Sequence, residues 1–143
     1  MKYIYLLSIL LLVGSCKQAS SDSTTSDTTR EPLETKTDTE PGIPLEISSS
    51  QLRYMIVKNK DMVLLDVRTP DEIAAGKIAG ALEADYFSDN FSAEIDKLDK
   101  DKHYIVYCKS GGRSSKSIDL MRKKGFRKCT NLEGGYTAWN ASK

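Results

Sequence analysis

The stretch HYIVYCKSGGRSSKSIDLMRKKG, residues 103–125, decides how the rest of the chain is read. Tyr104, Ile105, Val106 and Tyr107 are β-branched or aromatic and predict a buried strand, whereas residues 114–124 have helical spacing. Cys108 sits at the junction. Between strand and helix, the adjacent glycines Gly111 and Gly112 let successive backbone N–H groups turn inward around one point. The helix begins where that ring of donors ends, so its unsatisfied N–H groups and positive dipole end face the same point. This is a cradle for an anion with a thiol at its rim. A free cysteine titrates near about 8.5, and helix N-termini with nearby cations lower that value, so the reading makes Cys108 a thiolate nucleophile at neutral pH.

Working outward, the 143 residues carry 39% hydrophobic and 29% charged side chains and a formal charge of +1, an ordinary composition with room for one domain. The 21 basic residues are scattered and balanced by 20 acidic ones, which leaves no electrostatic footprint for nucleic acid. Three cysteines, Cys16, Cys108 and Cys129, and one histidine, His103, are too few and too unevenly spaced for a disulfide framework or a zinc site. Neither a metal nor any other cofactor is expected.

The amino-terminal end has the layout of an export signal. Lys2 is followed by an apolar run over residues 3–13, too short for a bilayer that takes about 20 residues. The run ends Val13, Gly14, Ser15, Cys16, which resembles a bacterial lipobox. The expected organisation is a lipoprotein signal peptide over 1–15, a lipid on Cys16, and a Ser/Thr/Asp/Glu-rich disordered tether over 16–42. The folded domain is then 43–143, held at the bacterial cell envelope and facing the periplasm or outer membrane rather than the cytoplasm.

Within that domain, a short extended piece at 45–47 precedes a helix capped by Ser48 to Ser50 and carrying Leu52, Met55 and Ile56. Residues 62–67 form a continuous apolar run that reads as a buried central strand. A helical turn over 71–75, a brief strand near 82–85 and an amphipathic helix over 91–98 with Phe91, Ile95 and Leu98 on one face follow. After the helix over 114–124, Gly125 takes the C′ position, residues 129–132 form a last strand, and Gly134 and Gly135 turn the chain into a final helix with Tyr136 and Trp139. Five strands separated by helices predict an α/β fold, a small parallel sheet with helices on both faces and a ligand site at the carboxyl ends of the strands.

Several of these residues match one family. LLDVRTPDEIAAGKIAGA at 64–81, CKSGGRS at 108–114, then Gly125-Phe126 and Leu132-Glu133-Gly134-Gly135 with Trp139, closely resemble a single-domain rhodanese across the whole folded domain. The resemblance implies a small α/β sulfurtransferase that moves a sulfane sulfur from thiosulfate or a persulfide through a cysteine persulfide to a thiol or cyanide. It implies Cys108 as the nucleophile and Lys109, Ser110, Gly111, Gly112, Arg113 and Ser114 as the substrate and persulfide loop, with Arg113 and Lys109 attracting an anionic donor. Asp66 and Arg68 match the family's Asp-x-Arg pair and Glu72 its usual glutamate, as support for the loop or as a buried ion pair fixing the turn. Lys77 and Glu83 stand where histidine and asparagine are common, and Ser117-Ile118 replaces a frequent alanine pair. The implied partners are small sulfur-containing anions or persulfides, with the membrane met only through the lipid on Cys16, and the chain is expected to be a monomer.

Two other readings compete. Thiol-based phosphatases place five residues between cysteine and arginine, whereas four separate Cys108 from Arg113, and Ser114 occupies the phosphatase arginine position. The shorter loop makes a smaller ring, suited to one sulfur atom. A rhodanese-fold binding module without chemistry is the other alternative, against which Cys108 and the loop glycines stand. Cys129 begins its strand where Cys108 ends a parallel one, so the two are expected beyond the roughly 7 Å that a disulfide allows between Cα atoms. Cys129 then reads as a small buried hydrophobe, and His103 as a surface residue at the edge away from the site.

Overall fold

The computed structural model describes residues 39–59 and 61–142; the expected export signal, Cys16 and nearly all of the expected tether lie outside the described residues. Strand β4 (His103–Tyr107) is the centre of a five-stranded sheet. Its neighbours are β2 (Met62–Asp66) on one side and β5 (Cys129–Leu132) on the other. Beyond them β3 (Leu82–Glu83) and β1 (Glu46–Ile47) close the order β1-β5-β4-β2-β3, with every pairing parallel. A parallel pair needs a crossover, and the helices between successive strands supply it.

Side chains alternate across β4, so Tyr104 and Val106 enter one core and Ile105 and Tyr107 the other. The first core takes α3 (Phe91–Asp96) and α4 (Gly112–Lys123) through Phe91, Ile95, Ile118 and Met121. The second takes α1 (Ser49–Lys58) and α5 (Gly135–Ala141) through Leu52 and Trp139. Both faces are thus covered, the condition under which a parallel sheet can be as apolar as this one. One more short helix, α2 (Pro70–Ala74), follows β2. Cys108 continues the alternation into the first core and lies at the carboxyl end of the central strand.

The expected strand and helix positions hold to within a few residues, and three local differences have physical reasons. Helix α4 starts at Gly112, two residues before the helical spacing begins, because Gly111 takes φ +103° and ends the loop there. Ile56 is 39% exposed, since α1 turns Leu52 and Met55 toward the core. His103 is not a free surface residue: its Nε2 lies 2.9 Å from Thr130 Oγ1, and burial, then the nearby Lys128 charge, lowers its pKa. It does stand at the amino end of β4, away from Cys108. Among the described residues no helix is long and apolar enough to cross a membrane.

Candidate active site

The carboxyl ends of the strands carry the loops that form the site. The loop after β4 runs from Cys108 to Gly111, and Gly111 in the left-handed region folds its own N–H back to donate to Cys108 Sγ at 3.2 Å. Ser114, fully buried on the first turn of α4, brings its Oγ to 3.6 Å from the same sulfur. Burial alone would raise the Cys108 pKa. The backbone N–H groups of Ser114, Ser110 and Gly111, with whatever share of the Ser114 hydroxyl proton reaches the sulfur, overcome that, and the net shift is downward. Donors that converge on an atom from a loop and a helix start stabilise whatever negative charge that atom carries.

Beneath the loop lies the end of α5. The Tyr136 N–H donates to the Cys108 carbonyl at 2.8 Å and the Thr137 N–H to the Lys109 carbonyl at 3.0 Å. The first turn of α5 therefore spends its unsatisfied donors on the backbone of the cysteine loop.

Asp66 and Arg68, expected near the loop, form a buried pair beside it. Asp66 is 0% and Arg68 3% exposed, and Arg68 Nη2 donates to Asp66 Oδ2 at 2.6 Å and to the Gly76 carbonyl at 2.9 Å. Its Nη1 donates to the Glu72 carbonyl at 3.2 Å, and its guanidinium stacks 4.1 Å from the Tyr136 ring centre. Burial would lower the Arg68 pKa, but the Asp66 hydrogen bonds and charge raise it. With its donors taken by Asp66 and two carbonyls, Arg68 fixes the β2–α2 turn against α5. Asp66 also raises the pKa of buried Tyr107, after burial itself, and the Tyr107 hydroxyl accepts from the Ile78 N–H at 3.2 Å.

Arg113, expected to attract an anionic donor, is held by an acid partner. Both terminal nitrogens donate to Glu72, Nη1 to Oε2 and Nη2 to Oε1, each at 2.7 Å. The fork-to-fork geometry fixes the guanidinium at the mouth of the loop, where its centre lies 5.4 Å from the Phe87 ring centre. Glu72 also closes a capping box with Thr69 at the start of α2, so one side chain orders the helix and holds the arginine. The Arg113 hydrogen bonds, against burial, lower the Glu72 pKa from 4.5 to about 2. Lys109 remains exposed at the rim.

Because the folded-state pKa of Glu72 is depressed, its contribution to stability is complete above about 4.5 and is lost as pH falls toward about 2. Replacing Glu72 by Gln keeps an acceptor for the Thr69 N–H but removes the charge and one of the two acceptors of the Arg113 fork. The pair is 18% and 27% exposed, so Glu72→Gln is expected to cost about 1 kcal/mol at pH 7. In urea unfolding at a series of pH values, the gap from the parent should close between about pH 4.5 and pH 2.

One residue of the site has no counterpart in the sequence reading. Asn131, 6% exposed on β5, accepts from the Ser114 hydroxyl at 2.7 Å through Oδ1 and donates from Nδ2 to Glu46 Oε1 at 2.8 Å. Its signal was a polar residue two positions after Cys129, which alternation places on the same face at the site end of the strand. Cys129 itself is free and buried, with its thiol pushed up to about 11 by burial. It pairs in register with Tyr104, four residues before Cys108, or about 13 Å at 3.3 Å per residue. The two thiols thus stand well apart.

Comparison with known proteins places the chain in context. A family model for the rhodanese-like domain matches residues 48–142. A sulfurtransferase of Allochromatium vinosum is 34% identical over 94 residues, covering 66% of this chain and 86% of that protein. The human thiosulfate:glutathione sulfurtransferase is 32% identical over 106 residues, covering 65% of this chain and 90% of its own length. Among solved structures, a rhodanese-like domain protein from Staphylococcus aureus superposes with a TM-score of 0.60 at 29% identity, covering 66% of this chain and 89% of that one.

Proposed function

The chain belongs to the rhodanese-like domain family, and on that footing we propose that it is a sulfurtransferase working by double displacement at Cys108. The observation that carries this is the ring of donors on Cys108 Sγ, from Gly111 at 3.2 Å and from Ser110 and Ser114, at the carboxyl end of the central strand. In the first half-reaction the Cys108 thiolate attacks the outer sulfur of thiosulfate or of a persulfide. The S–S bond of the donor breaks, sulfite or a thiolate leaves with the electron pair, and Cys108 carries the sulfur as a persulfide. In the second, an acceptor thiolate or cyanide attacks the terminal sulfur and the Cys108 thiolate returns. The loop N–H groups hold negative charge on sulfur in both states without rearrangement, which is the electrostatic part of the catalysis.

The roles of the other residues follow from their partners. Ser110, Gly111 and Ser114 supply donors, and Gly112 opens α4. Arg113, oriented by Glu72, presents a fixed positive charge close to the sulfur, while Lys109 attracts anionic donors from the rim. The donor and acceptor in the name of the human relative, thiosulfate and glutathione, make the assay pair. Incubation of the full chain with thiosulfate should add the mass of one sulfur atom to the Cys108 peptide, and glutathione or cyanide should remove it. No gain with thiosulfate or a polysulfide would overturn the reading and favour a rhodanese-fold binding module.

The proposal extends to placement. The lipobox-like Val13-Gly14-Ser15-Cys16 puts a lipid on Cys16 and the domain at the bacterial cell envelope. Expressed from its full coding sequence, the protein should partition into detergent, and Cys16→Ala should move it to the aqueous phase.

A further inference from the structure

Ser114 has one hydroxyl proton and three acceptors within reach: Asn131 Oδ1 at 2.7 Å, the Gly111 carbonyl at 2.9 Å and Cys108 Sγ at 3.6 Å. All of these groups belong to buried residues, so no bulk water arbitrates among them. The orientation of Asn131 decides the contest. Its Nδ2 faces Glu46 Oε1 at 2.8 Å, a carboxylate oxygen that only accepts, which leaves Oδ1 pointing at Ser114. The shortest of the three bonds therefore draws the hydroxyl proton away from the sulfur and turns an oxygen lone pair toward it. A thiol S–H can donate to that lone pair, whereas a thiolate gains only when the hydroxyl turns back.

We infer that Asn131 is a positioning residue that sets how much of the Ser114 hydroxyl proton reaches Cys108, and so holds the thiolate less stabilised, and more nucleophilic, than the loop alone would make it. The inference rests on the proposed role of Cys108 as nucleophile and adds a control to it. Its chemical sense is that thiolate nucleophilicity falls as the thiolate is stabilised, with a Brønsted coefficient of about 0.4–0.5, so a sulfur held too well attacks slowly. The charged groups around the sulfur leave this control intact. Arg113 of α4 acts on the sulfur but is paired to Glu72 of α2, the Asp66–Arg68 pair of β2 and its turn is closed on itself, and Glu46 of β1 reaches Asn131 alone.

The test is the pH profile of Cys108 alkylation by iodoacetamide on the full chain, read by mass at the Cys108 peptide so that Cys16 and Cys129 do not contribute. Asn131→Leu releases the Ser114 proton to the sulfur. A hydrogen bond of ordinary strength, offset by the Brønsted term, should make the variant roughly two- to threefold faster than the parent below the midpoint and about twofold slower on the high-pH plateau. The two profiles should cross, which loss of packing alone would not produce. Asn131→Ala, which empties the site rather than filling it with a branched side chain, should cross in the same way and carries the test if the leucine variant does not fold. In a Ser114→Ala background neither substitution should alter the profile. Uncrossed profiles, or an equal change with and without the Ser114 hydroxyl, would overturn the inference. A parent Cys108 that alkylates like an ordinary thiol would instead overturn the proposed function.

Discussion

Cys108→Ser should abolish sulfur uptake from thiosulfate, with a fall of at least about 10³-fold in kcat/KM, while the domain stays folded. Serine fits the space and accepts from the same N–H donors, so the change in stability should be about 1 kcal/mol or less. What it lacks is the anion: a hydroxyl is hardly ionised at neutral pH even in a ring of donors, whereas the Cys108 thiol is brought down by Ser114, Ser110 and Gly111 despite its burial. It also lacks the bond, since an oxygen–sulfur adduct has none of the reversibility of a persulfide. Steady-state rates with thiosulfate and glutathione, paired with urea unfolding, check both halves. A serine variant retaining a tenth of the activity would remove Cys108 from the chemistry.

Gly135→Ala should damage the same site from below, with activity down about 10²-fold and stability down by about 2–3 kcal/mol. Gly135 has φ +56°, and a Cβ there would overlap the Cys108 carbonyl oxygen and lie 2.8 Å from the carbonyl carbon and oxygen of Lys109. These neighbours are backbone, so relief requires either the cysteine loop or the start of α5 to move. Moving α5 withdraws the Tyr136 and Thr137 N–H groups from the Cys108 and Lys109 carbonyls. Activity measured at a temperature where the variant remains folded separates the displaced loop from simple unfolding. A variant that is less stable but fully active would show that the loop holds its shape without α5.

The fold was legible because its signals are local and strong. Tyr104 to Tyr107 and the apolar run from Met62 have no good alternative to buried strands, and helix-forming segments between them leave a parallel sheet as the arrangement. The cysteine loop was legible for the same reason: strand, glycines and helix start follow one another in nine residues, and their geometry is dictated by neighbours in the chain. The pairing of Arg113 was not, because its partner, Glu72, lies 41 residues away and the sequence shows no sign of which acid an arginine will meet. Asn131 was missed on similar grounds, since its importance lies in contacts to Ser114 and Glu46 across two other elements. Ser114 was identified as part of the loop, but its complete burial and its bond to Asn131, which competes with the loop's own acceptors, are products of the packing of α4 on β5.

The contact between α5 and the cysteine loop also orders events in time. Ribosomal synthesis delivers Cys108 well before Tyr136 and Thr137, whose N–H groups brace the Cys108 and Lys109 carbonyls, and β5, which carries Asn131, also follows the loop. β1, which holds the other edge of β5, has by then waited for some eighty residues to be made. Until α5 is made, the cysteine loop lacks the two hydrogen bonds that brace its carbonyls. The braced loop and the finished domain therefore arrive together.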